Sequence, residues 1–384
     1  MSASDSKALR FGLIGCGGIG GVHADAMDLI DEIDLVAVCD INEQAARDLA
    51  AKHGGVAYYT DYEKMLDEMN LDAVSISTDH KNHTQPGLAA VRRGVAAIVE
   101  KPLSNSLVDG HELVEEAERL GVPLGGIFQR RFFPSAQRMH QAIEDGRLGE
   151  ISAAECIAHI GRDKFYFDRA DWRGTWWGEG GGVLMNQAIH MVDMLLWMVG
   201  EPVEVYGRWN LIKHGDYIEV EDTTSAVVTF ANGAIATIQA VTTFENGMGT
   251  NPEAKTSTAH VAPGFRLAVH GTSGHTVGML ESPEGAQAIT DQWTFDGEDG
   301  LVAEWREAED GHSGFPAFHS DQLRDFALAV RDGRQPTITG VEGYRAVEVV
   351  KAIYLSEARR APIAIPMSAE DRAEADRVSS GQRS

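Results

Sequence analysis

Two polar side chains stand four positions apart in the apolar segment GGGVLMNQAIHMVD, residues 180–193. In an α-helix this spacing places Asn186 and His190 on one face, with Asp193 close beside them. A histidine can move a proton near neutral pH, and an asparagine amide can orient a hydroxyl group. The segment therefore predicts either a proton-transfer site or a core helix that starts after a glycine turn and carries a satisfied, buried histidine.

A glycine-rich turn follows the first apolar run of the chain, LRFGLI. The pattern Gly-x-Gly-x-x-Gly combines a tight turn, a close backbone approach to a pyrophosphate and close packing of a helix on a strand. The next apolar run, IDLVAVCD, ends in an aspartate about twenty residues later, where a carboxylate that binds ribose is expected. The sequence therefore predicts a dinucleotide site that includes Gly15, Gly17, Gly18, Ile19, Gly20 and Asp40.

Asp40 also bears on the choice of cofactor. A carboxylate at this position accepts hydrogen bonds from a free 2′-hydroxyl and repels a 2′-phosphate. The first arginine that follows is Arg47, inside the next helical pattern. NAD is therefore favoured over NADP, although Asp40 could also serve as the cap of the helix in NEQAARDLAAKH.

Strand and helix patterns continue to alternate along the first third of the chain. LDAVSIST and VAAIVE have the composition of buried strands, while QPGLAAVRRG and DGHELVEEAERLG have that of helices. This alternation predicts a parallel sheet whose ligands lie at the carboxyl ends of the strands. The candidate cofactor contacts at those ends are Thr78, His80, His83, Glu100 and Lys101. His80 and His83 lack a third ligand at a recognisable spacing, so we do not predict a metal site.

From about residue 150 the pattern changes to longer alternating runs, which include ISAAECIAHIG, VEVYGRWNLI and FRLAVHG. Asn232 and Gly233 lie between two strand-like halves and predict a tight hairpin. These runs predict an antiparallel sheet. Residues 245–264 form a long candidate loop that could cover the site or a neighbouring subunit, and the polar residues 367–384 are expected to fray.

The glycine fingerprint, VEKPLS and GGGVLMNQAIHMVDMLLWMVG together resemble the Gfo/Idh/MocA family of glucose-fructose oxidoreductases and inositol 2-dehydrogenases. The closing segment, residues 318–360, is also similar to the family's last helices. The resemblance implies an α/β protein with an N-terminal Rossmann domain that binds NAD, followed by an α/β domain with a large, mostly antiparallel sheet. We expect the domains to span residues 1–128 and 129–366, and the second to form a homodimer or homotetramer through its sheet.

The resemblance also implies roles for two residues. Lys101 corresponds to the family lysine expected beside the nicotinamide, hydrogen-bonded to the reacting hydroxyl, and His190 corresponds to the family histidine. Many members have an aspartate where this chain has Asn186, and an amide cannot share a proton. His190 therefore acts alone or with Asp193, or Lys101 takes the larger share of the proton transfer.

Other candidates lie at the start of the second domain and near the end of the chain. In related enzymes the residues after the sixth strand line the pocket, so the resemblance implies that Gln129 contacts the cofactor and Arg130 the substrate. The aromatic segment FYFDRADWRGTWWGEGG predicts a substrate wall, a core or a subunit interface. The candidate substrate contacts are Arg130, Trp172, Arg173, Asn186, His190 and His319, and for His319 a core or capping role is an equal alternative.

Charge and composition exclude several classes of partner. The net charge of −25 disfavours nucleic acids and anionic membrane surfaces. No stretch approaches the roughly twenty apolar residues of a membrane helix, and three scattered cysteines suggest neither a disulfide framework nor a thiolate metal site. We therefore expect a cytoplasmic protein.

The resemblance and the candidate residues together predict an NAD-dependent dehydrogenase. Its substrate would be a secondary hydroxyl of a sugar, a sugar derivative or an inositol, and its proton acceptor would be His190 or Lys101. One alternative is a redox-neutral glycosidase that uses NAD for transient oxidation followed by elimination. A non-catalytic dinucleotide sensor is a third alternative, disfavoured because both Lys101 and His190 are present.

Overall fold

The computed structural model describes residues 8–244, 264–281, 288–309 and 317–380. The chain divides into two compact units. The first contains the described residues within 1–129 and 315–344, and the second those within 130–314 and 345–384.

The first unit contains a six-stranded parallel sheet with strand order β3-β2-β1-β4-β5-β6. Its strands are β1 Leu9–Ile14, β2 Ile33–Cys39, β3 Ala57–Tyr59, β4 Ala73–Ile76, β5 Ala96–Val99 and β6 Leu124–Gly126. The connecting helices are α1 Gly18–Met27, α2 Glu43–Lys52, α3 Tyr62–Glu68, α4 Thr84–Arg92 and α5 Leu107–Leu120. Every residue of β4 and β5 is buried, as expected for apolar strands covered on both faces. The predicted parallel sheet is confirmed.

The second unit contains an eight-stranded sheet with strand order β13-β12-β11-β7-β10-β9-β8-β14. Its strands are β7 Ile151–Gly161, β8 Pro202–Asn210, β9 Thr223–Phe230, β10 Ile235–Phe244, β11 Gly264–Gly271, β12 Thr276–Glu281, β13 Ala288–Trp293 and β14 Ile363–Ala364. The pair β7 and β10 is parallel, and the other pairs are antiparallel. The prediction of a mostly antiparallel sheet is confirmed.

The remaining helices follow the chain from residue 134 onward. They are α6 Pro134–Glu144, α7 Lys164–Phe167, α8 Trp176–Glu179, α9 Ile189–Val199, α10 Asp299–Glu309, α11 Ala317–Asp332, α12 Gly340–Arg359 and α13 Ala369–Val378. The stretch Trp176–Val199 is long and apolar enough to cross a membrane by composition alone, but 89% of its most apolar window is buried inside the protein, as in a core helix.

The predicted hairpin at Asn232 and Gly233 joins β9 to β10. Gly233 has a φ of +86°, a conformation that glycine adopts without steric cost. The Asn232 side-chain oxygen accepts a hydrogen bond from the backbone N–H of Ala234 at 3.0 Å. The turn residues therefore fix the register of the two strands.

The structure divides the chain differently from the sequence-based boundaries, mainly because residues 315–344, which include α11 and the start of α12, belong to the first unit. Helix α11, expected in the second domain, belongs to the first unit. It packs against α1, and Phe326 meets Phe11 of β1 edge to face, with ring centroids 6.4 Å apart. This contact is long-range in sequence and depends on shape rather than on local pattern.

The expectation that residues 367–384 fray is wrong for most of the segment. Helix α13 begins after Ser368, whose side chain accepts a hydrogen bond from the backbone N–H of Asp371 at 3.1 Å. Arg359 forms ion pairs with Asp371 and Glu374, and the side chain of Ala375 is buried. Helix α13, although polar, is therefore held in place by its cap, by the ion pairs with Arg359 and by the buried side chain of Ala375. The candidate loop at 245–264 lies outside the described residues except for its last position.

Candidate cofactor and substrate sites

The glycines of the fingerprint have two structural roles. Gly15 has a φ of +100°, and a Cβ there would lie 2.6 Å from the backbone of Ser77. A Cβ on Gly20 would overlap the carbonyl oxygen of Gly15. Gly17 and Gly18 have open space where a Cβ would project, so the N-terminus of α1 leaves room for a pyrophosphate.

Asp40 closes this turn through its side chain. Its two carboxylate oxygens accept hydrogen bonds from the backbone N–H groups of Cys16 at 2.7 Å and Asn42 at 2.8 Å. Helix α2 is capped by Asn42, which accepts from Gln44 and Ala45, so the alternative that Asp40 caps this helix is wrong. Asp40 is half-buried, and its oxygens retain lone pairs for ribose hydroxyls.

His83 links the end of β4 to the segment that carries Lys101. Its Nδ1 lies 2.7 Å from the carbonyl oxygen of Pro102, and its Nε2 lies 3.1 Å from that of Thr78. Burial lowers the pKa of His83, and a neutral imidazole has one N–H to donate. His80 is buried beside it, with ring centroids 5.9 Å apart.

A second polar network lies directly behind Lys101. Glu100 accepts a hydrogen bond from the backbone N–H of Lys101 at 2.9 Å, and its other oxygen lies 2.9 Å from His23 Nε2. His319 Nε2 lies 3.7 Å from that same oxygen. Burial alone would raise the pKa of Glu100, but the nearby imidazoles of His23 and His319 and the charge of Lys101 lower it by more, so its pKa falls well below the usual range. Glu100 is therefore a buried carboxylate that stays ionised.

The residues His23, Glu100 and His319, which we call the Glu100 cluster, could hold a metal by their types and spacing. However, the two ring nitrogens of His23 already contact Ser75 Oγ at 2.7 Å and Glu100, so hydrogen bonding accounts for their arrangement. Direct ligand contact by Glu100 and His319 stays a prediction. Sequence reasoning missed His23, although a histidine on the buried face of the fingerprint helix was a signal.

The three glycines before Asn186 allow the chain to pass close to its neighbours. Gly180 has a φ of +78° and ends α8. A Cβ on Gly181 would overlap the hydroxyl of Tyr354, and a Cβ on Gly182 would overlap the carbonyl oxygen of Glu221. The glycine run therefore serves packing as well as turning.

The predicted regular α-helix is wrong at its start. Residues Leu184–Ala188 form a π-helical turn, and α9 begins at Ile189. The π-turn has more residues per turn than an α-helix. Asn186 and His190 are therefore not related by the regular α-helical spacing of four residues. Single π-turns inside helices are frequent at functional sites. Both side chains are buried.

Glu221 holds the first turn of this helix. Its carboxylate accepts hydrogen bonds from the backbone N–H groups of Gly182 at 2.7 Å and Leu184 at 3.0 Å, and from the hydroxyl of Tyr354 at 2.8 Å. Burial raises the pKa of Glu221 to about 7, although these hydrogen bonds oppose the shift. Sequence reasoning missed this residue, because it lies in a loop far along the chain.

Asn186 is fixed by an acid and a tyrosine. Its amide nitrogen donates to Glu179 and to the hydroxyl of Tyr166, which lies 3.0 Å away. Gln187 donates to the same hydroxyl at 3.1 Å. Many family members have an aspartate at position 186. In this chain Glu179 places a carboxylate beside Asn186 instead.

Arg173 reaches the Tyr166 hydroxyl that also contacts Asn186, and Trp172 lies beside Arg173; substrate contact by Trp172 and Arg173 stays a prediction. The Arg173 guanidinium donates to the Tyr166 hydroxyl and lies 4.5 Å from the centre of the Tyr166 ring and 4.6 Å from that of Trp172. Through Tyr166, the structure connects Arg173 to Asn186.

Two other candidates have buried ionic partners. Arg130 pairs with Glu281 at 2.6 Å and lies over the ring of Phe265. The Asp193 carboxylate accepts two hydrogen bonds from the guanidinium of Arg131, at 2.8 and 2.5 Å. Substrate contact by Arg130 and partnership of Asp193 with His190 stay predictions. Gln129 Oε1 is buried and has no hydrogen-bond partner among the described residues.

Comparison with known families matches both halves of the chain. Residues 9–127 match the oxidoreductase family with an NAD-binding Rossmann fold, and residues 136–277 match the GFO/IDH/MocA C-terminal domain. The chain belongs to the Gfo/Idh/MocA family of oxidoreductases. The resemblance inferred from the fingerprint, the Glu-Lys-Pro motif and the Asn186 helix is thereby confirmed, as is the NAD-binding fold of the first unit.

This oxidoreductase is similar to several dehydrogenases. It is 28% identical to the myo-inositol 2-dehydrogenase of Thermotoga maritima over 233 residues, which cover 60% of this chain and 67% of that one. It is 28% identical to the D-glucoside 3-dehydrogenase of Escherichia coli K12 over 262 residues, which cover 61% and 70%. The structure of the WlbA dehydrogenase from Bordetella pertussis, in complex with NADH and UDP-GlcNAcA, superposes with a TM-score of 0.78 at 27% identity, covering 94% of this chain and 100% of that one.

Proposed function

We propose that this oxidoreductase transfers a hydride between NAD and a secondary hydroxyl of a sugar, a sugar derivative or an inositol. The observation that carries the proposal is the anchoring of Lys101 by the ionised Glu100, in an NAD-binding fold whose relatives are named as sugar and inositol dehydrogenases. The buried pair Asn186 and His190 supplies the hydrogen-bonding and proton-accepting groups that alcohol oxidation needs.

Each residue has a distinct part in the proposed reaction. NAD, when bound, accepts the hydride from the substrate carbon. His190 takes the hydroxyl proton, and Lys101 donates a hydrogen bond to the reacting oxygen or shares the proton transfer. Asn186, held by Glu179 and Tyr166, orients a substrate hydroxyl. A positioned base of this kind typically contributes about 10²- to 10⁴-fold to the rate.

Asp40 is proposed to select NAD over NADP. Asp40→Ala is expected to raise the Kd for NAD by roughly 10- to 100-fold, because charge-assisted hydrogen bonds to the ribose are lost. The ratio of the two dissociation constants, measured by fluorescence titration with NAD and NADP, should also shift toward NADP. Loss of the bonds to Cys16 and Asn42 alone would weaken both cofactors equally. The control is Asp48→Ala, an exposed carboxylate on α2, and an unchanged ratio in Asp40→Ala would exclude Asp40 from the ribose site.

The proposed function is tested by absorbance at 340 nm with NAD and then NADP, across inositols, aldoses, uronic acids and glycosides. Accumulation of NADH with a member of this panel is the expected result. Sugar release from a glycoside without NADH accumulation would overturn the dehydrogenase assignment in favour of the redox-neutral glycosidase. Tight NAD binding with neither activity would favour a dinucleotide sensor.

A homo-oligomer in the cytoplasm is also proposed. Four large apolar side chains, Val203, Tyr206, Val227 and Ile235, are exposed on β8, β9 and β10 of the second sheet. Exposed apolar groups on neighbouring strands are typical of an association surface. Light scattering should give a dimer or tetramer of the 41.6 kDa chain, and a monomer at micromolar concentration would contradict the proposal.

A further inference from the structure

His23 lies on the fingerprint helix α1 and contacts the residue that precedes Lys101. Its side chain is fully buried. Its Nε2 lies 2.9 Å from Glu100 Oε1, and its Nδ1 lies 2.7 Å from the hydroxyl oxygen of Ser75 on β4. Buried polar groups are costly unless each has a partner, and here both ring nitrogens have one. The contacts of His23 thus join α1, β4 and the residue after β5 within the first unit.

The direction of these hydrogen bonds follows from the charge of Glu100. An ionised carboxylate can only accept hydrogen bonds, so His23 donates from Nε2. In a neutral imidazole Nδ1 is then the acceptor, and the Ser75 hydroxyl donates to it. Ser75 therefore stabilises the tautomer of His23 that donates to Glu100.

Glu100 connects this pair to Lys101. Its Oε2 accepts a hydrogen bond from the backbone N–H of Lys101 at 2.9 Å, while its Oε1 lies beside His23 and, at 3.7 Å, beside His319 Nε2. The charge of Lys101 is also among the causes that lower the pKa of Glu100. A carboxylate held at both oxygens has a fixed position. Glu100 can therefore fix both the backbone of Lys101 and the negative charge that lies near its ammonium group.

We propose that His23 and Ser75 are positioning residues for Lys101 and act through Glu100. This inference rests on the proposed function, in which Lys101 contacts the reacting oxygen, and adds two residues that support that contact from behind. The hydrogen bond from His23 to the charged Glu100 should carry most of the effect, because hydrogen bonds to charged groups are stronger than those between neutral groups. The fingerprint helix would then serve catalysis as well as NAD binding.

The first test compares two amide replacements of His23. Glutamine places its side-chain nitrogen close to the position of Nε2 and can donate to Glu100, whereas asparagine reaches only as far as Nδ1. His23→Asn should therefore lower kcat by roughly 10- to 100-fold, the range of one hydrogen bond to a charged group, and His23→Gln should keep most of the activity. The Kd for NAD, measured by fluorescence titration, should stay nearly unchanged in both variants. Equal kcat in the two variants, or a parallel loss of NAD binding, would contradict the inference.

The second test removes the group that is positioned. In a Lys101→Met background no ammonium group remains, so adding His23→Asn should lower kcat by no more than about twofold. A purely structural role would cause the same loss in both backgrounds, which would overturn the inference but leave the dehydrogenase assignment intact. Full activity of Lys101→Met would exclude Lys101 from the chemistry and overturn the inference with it. No NADH from any sugar or polyol would overturn the proposed function itself and, with it, the inference.

Ser75→Ala is a milder change, because it leaves the His23 ring in place and removes only the hydroxyl. Its kcat should fall by roughly 2- to 10-fold, the range of one neutral hydrogen bond, and this loss should also disappear in the Lys101→Met background. An unchanged kcat in Ser75→Ala would contradict the role assigned to Ser75. His53→Asn is the matched control, because His53 is another buried histidine of the first unit and lies 2.8 Å from the Asp28 carboxylate. Its kcat should match that of the unmodified enzyme.

Discussion

Replacing Lys101 by methionine is expected to lower kcat by about 10²- to 10⁴-fold while leaving the Kd for NAD nearly unchanged. Methionine keeps the length and apolar stem of the side chain but has no ammonium group to hold or move a proton. The backbone N–H of residue 101 still donates to Glu100, so the segment should keep its conformation. Steady-state rates at 340 nm and fluorescence titration of NAD measure the two quantities.

Lys64→Met provides the control for this variant. Lys64 is exposed on α3 and lies 3.8 Å from Glu68 in an ion pair of the kind that contributes little to stability. Its activity should match that of the unmodified enzyme. Full activity of Lys101→Met would remove Lys101 from the proposed chemistry.

The parts of the fold predicted from sequence are those fixed by short-range patterns. Alternating strands and helices predicted the parallel sheet of the first unit, and Asn232 with Gly233 predicted the hairpin between β9 and β10. Helix α11 joins the first unit through long-range contacts, such as the one between Phe11 and Phe326. Sequence periodicity says which face of a helix is apolar, but not which distant surface covers it.

In the candidate sites, too, short-range features were predictable from sequence and long-range contacts were not. The glycine turn was predictable, because Gly15 and Gly20 are needed for local geometry. The contact between His23 and Glu100 joins residues 77 positions apart, so no local pattern indicates it. The carboxylate beside Asn186 was missed for another reason. Glu179 is only seven positions away, but the helix cap at Gly180 and the π-turn that follow it redirect the chain.

His190→Gln is the second variant with a large expected effect. Glutamine can hydrogen-bond to a hydroxyl but cannot accept and release a proton near neutral pH, so kcat should fall by about 10²- to 10⁴-fold. NAD binding should remain nearly unchanged. His140→Gln is the control, because His140 is half-buried on α6 and stacks on Trp197 at 4.1 Å. Full activity of His190→Gln would exclude His190 as the base.

The double variant Lys101→Met with His190→Gln distinguishes the two ways in which the proton can leave. If both residues act on the same proton, removing the second after the first costs little more, and the effects on kcat are far from additive. If Lys101 only polarises the reacting oxygen while His190 alone accepts the proton, the two losses in activation free energy should nearly add. Asn186 cannot replace either group, because its amide donates to Glu179 and Tyr166 and has no titratable proton in the neutral range.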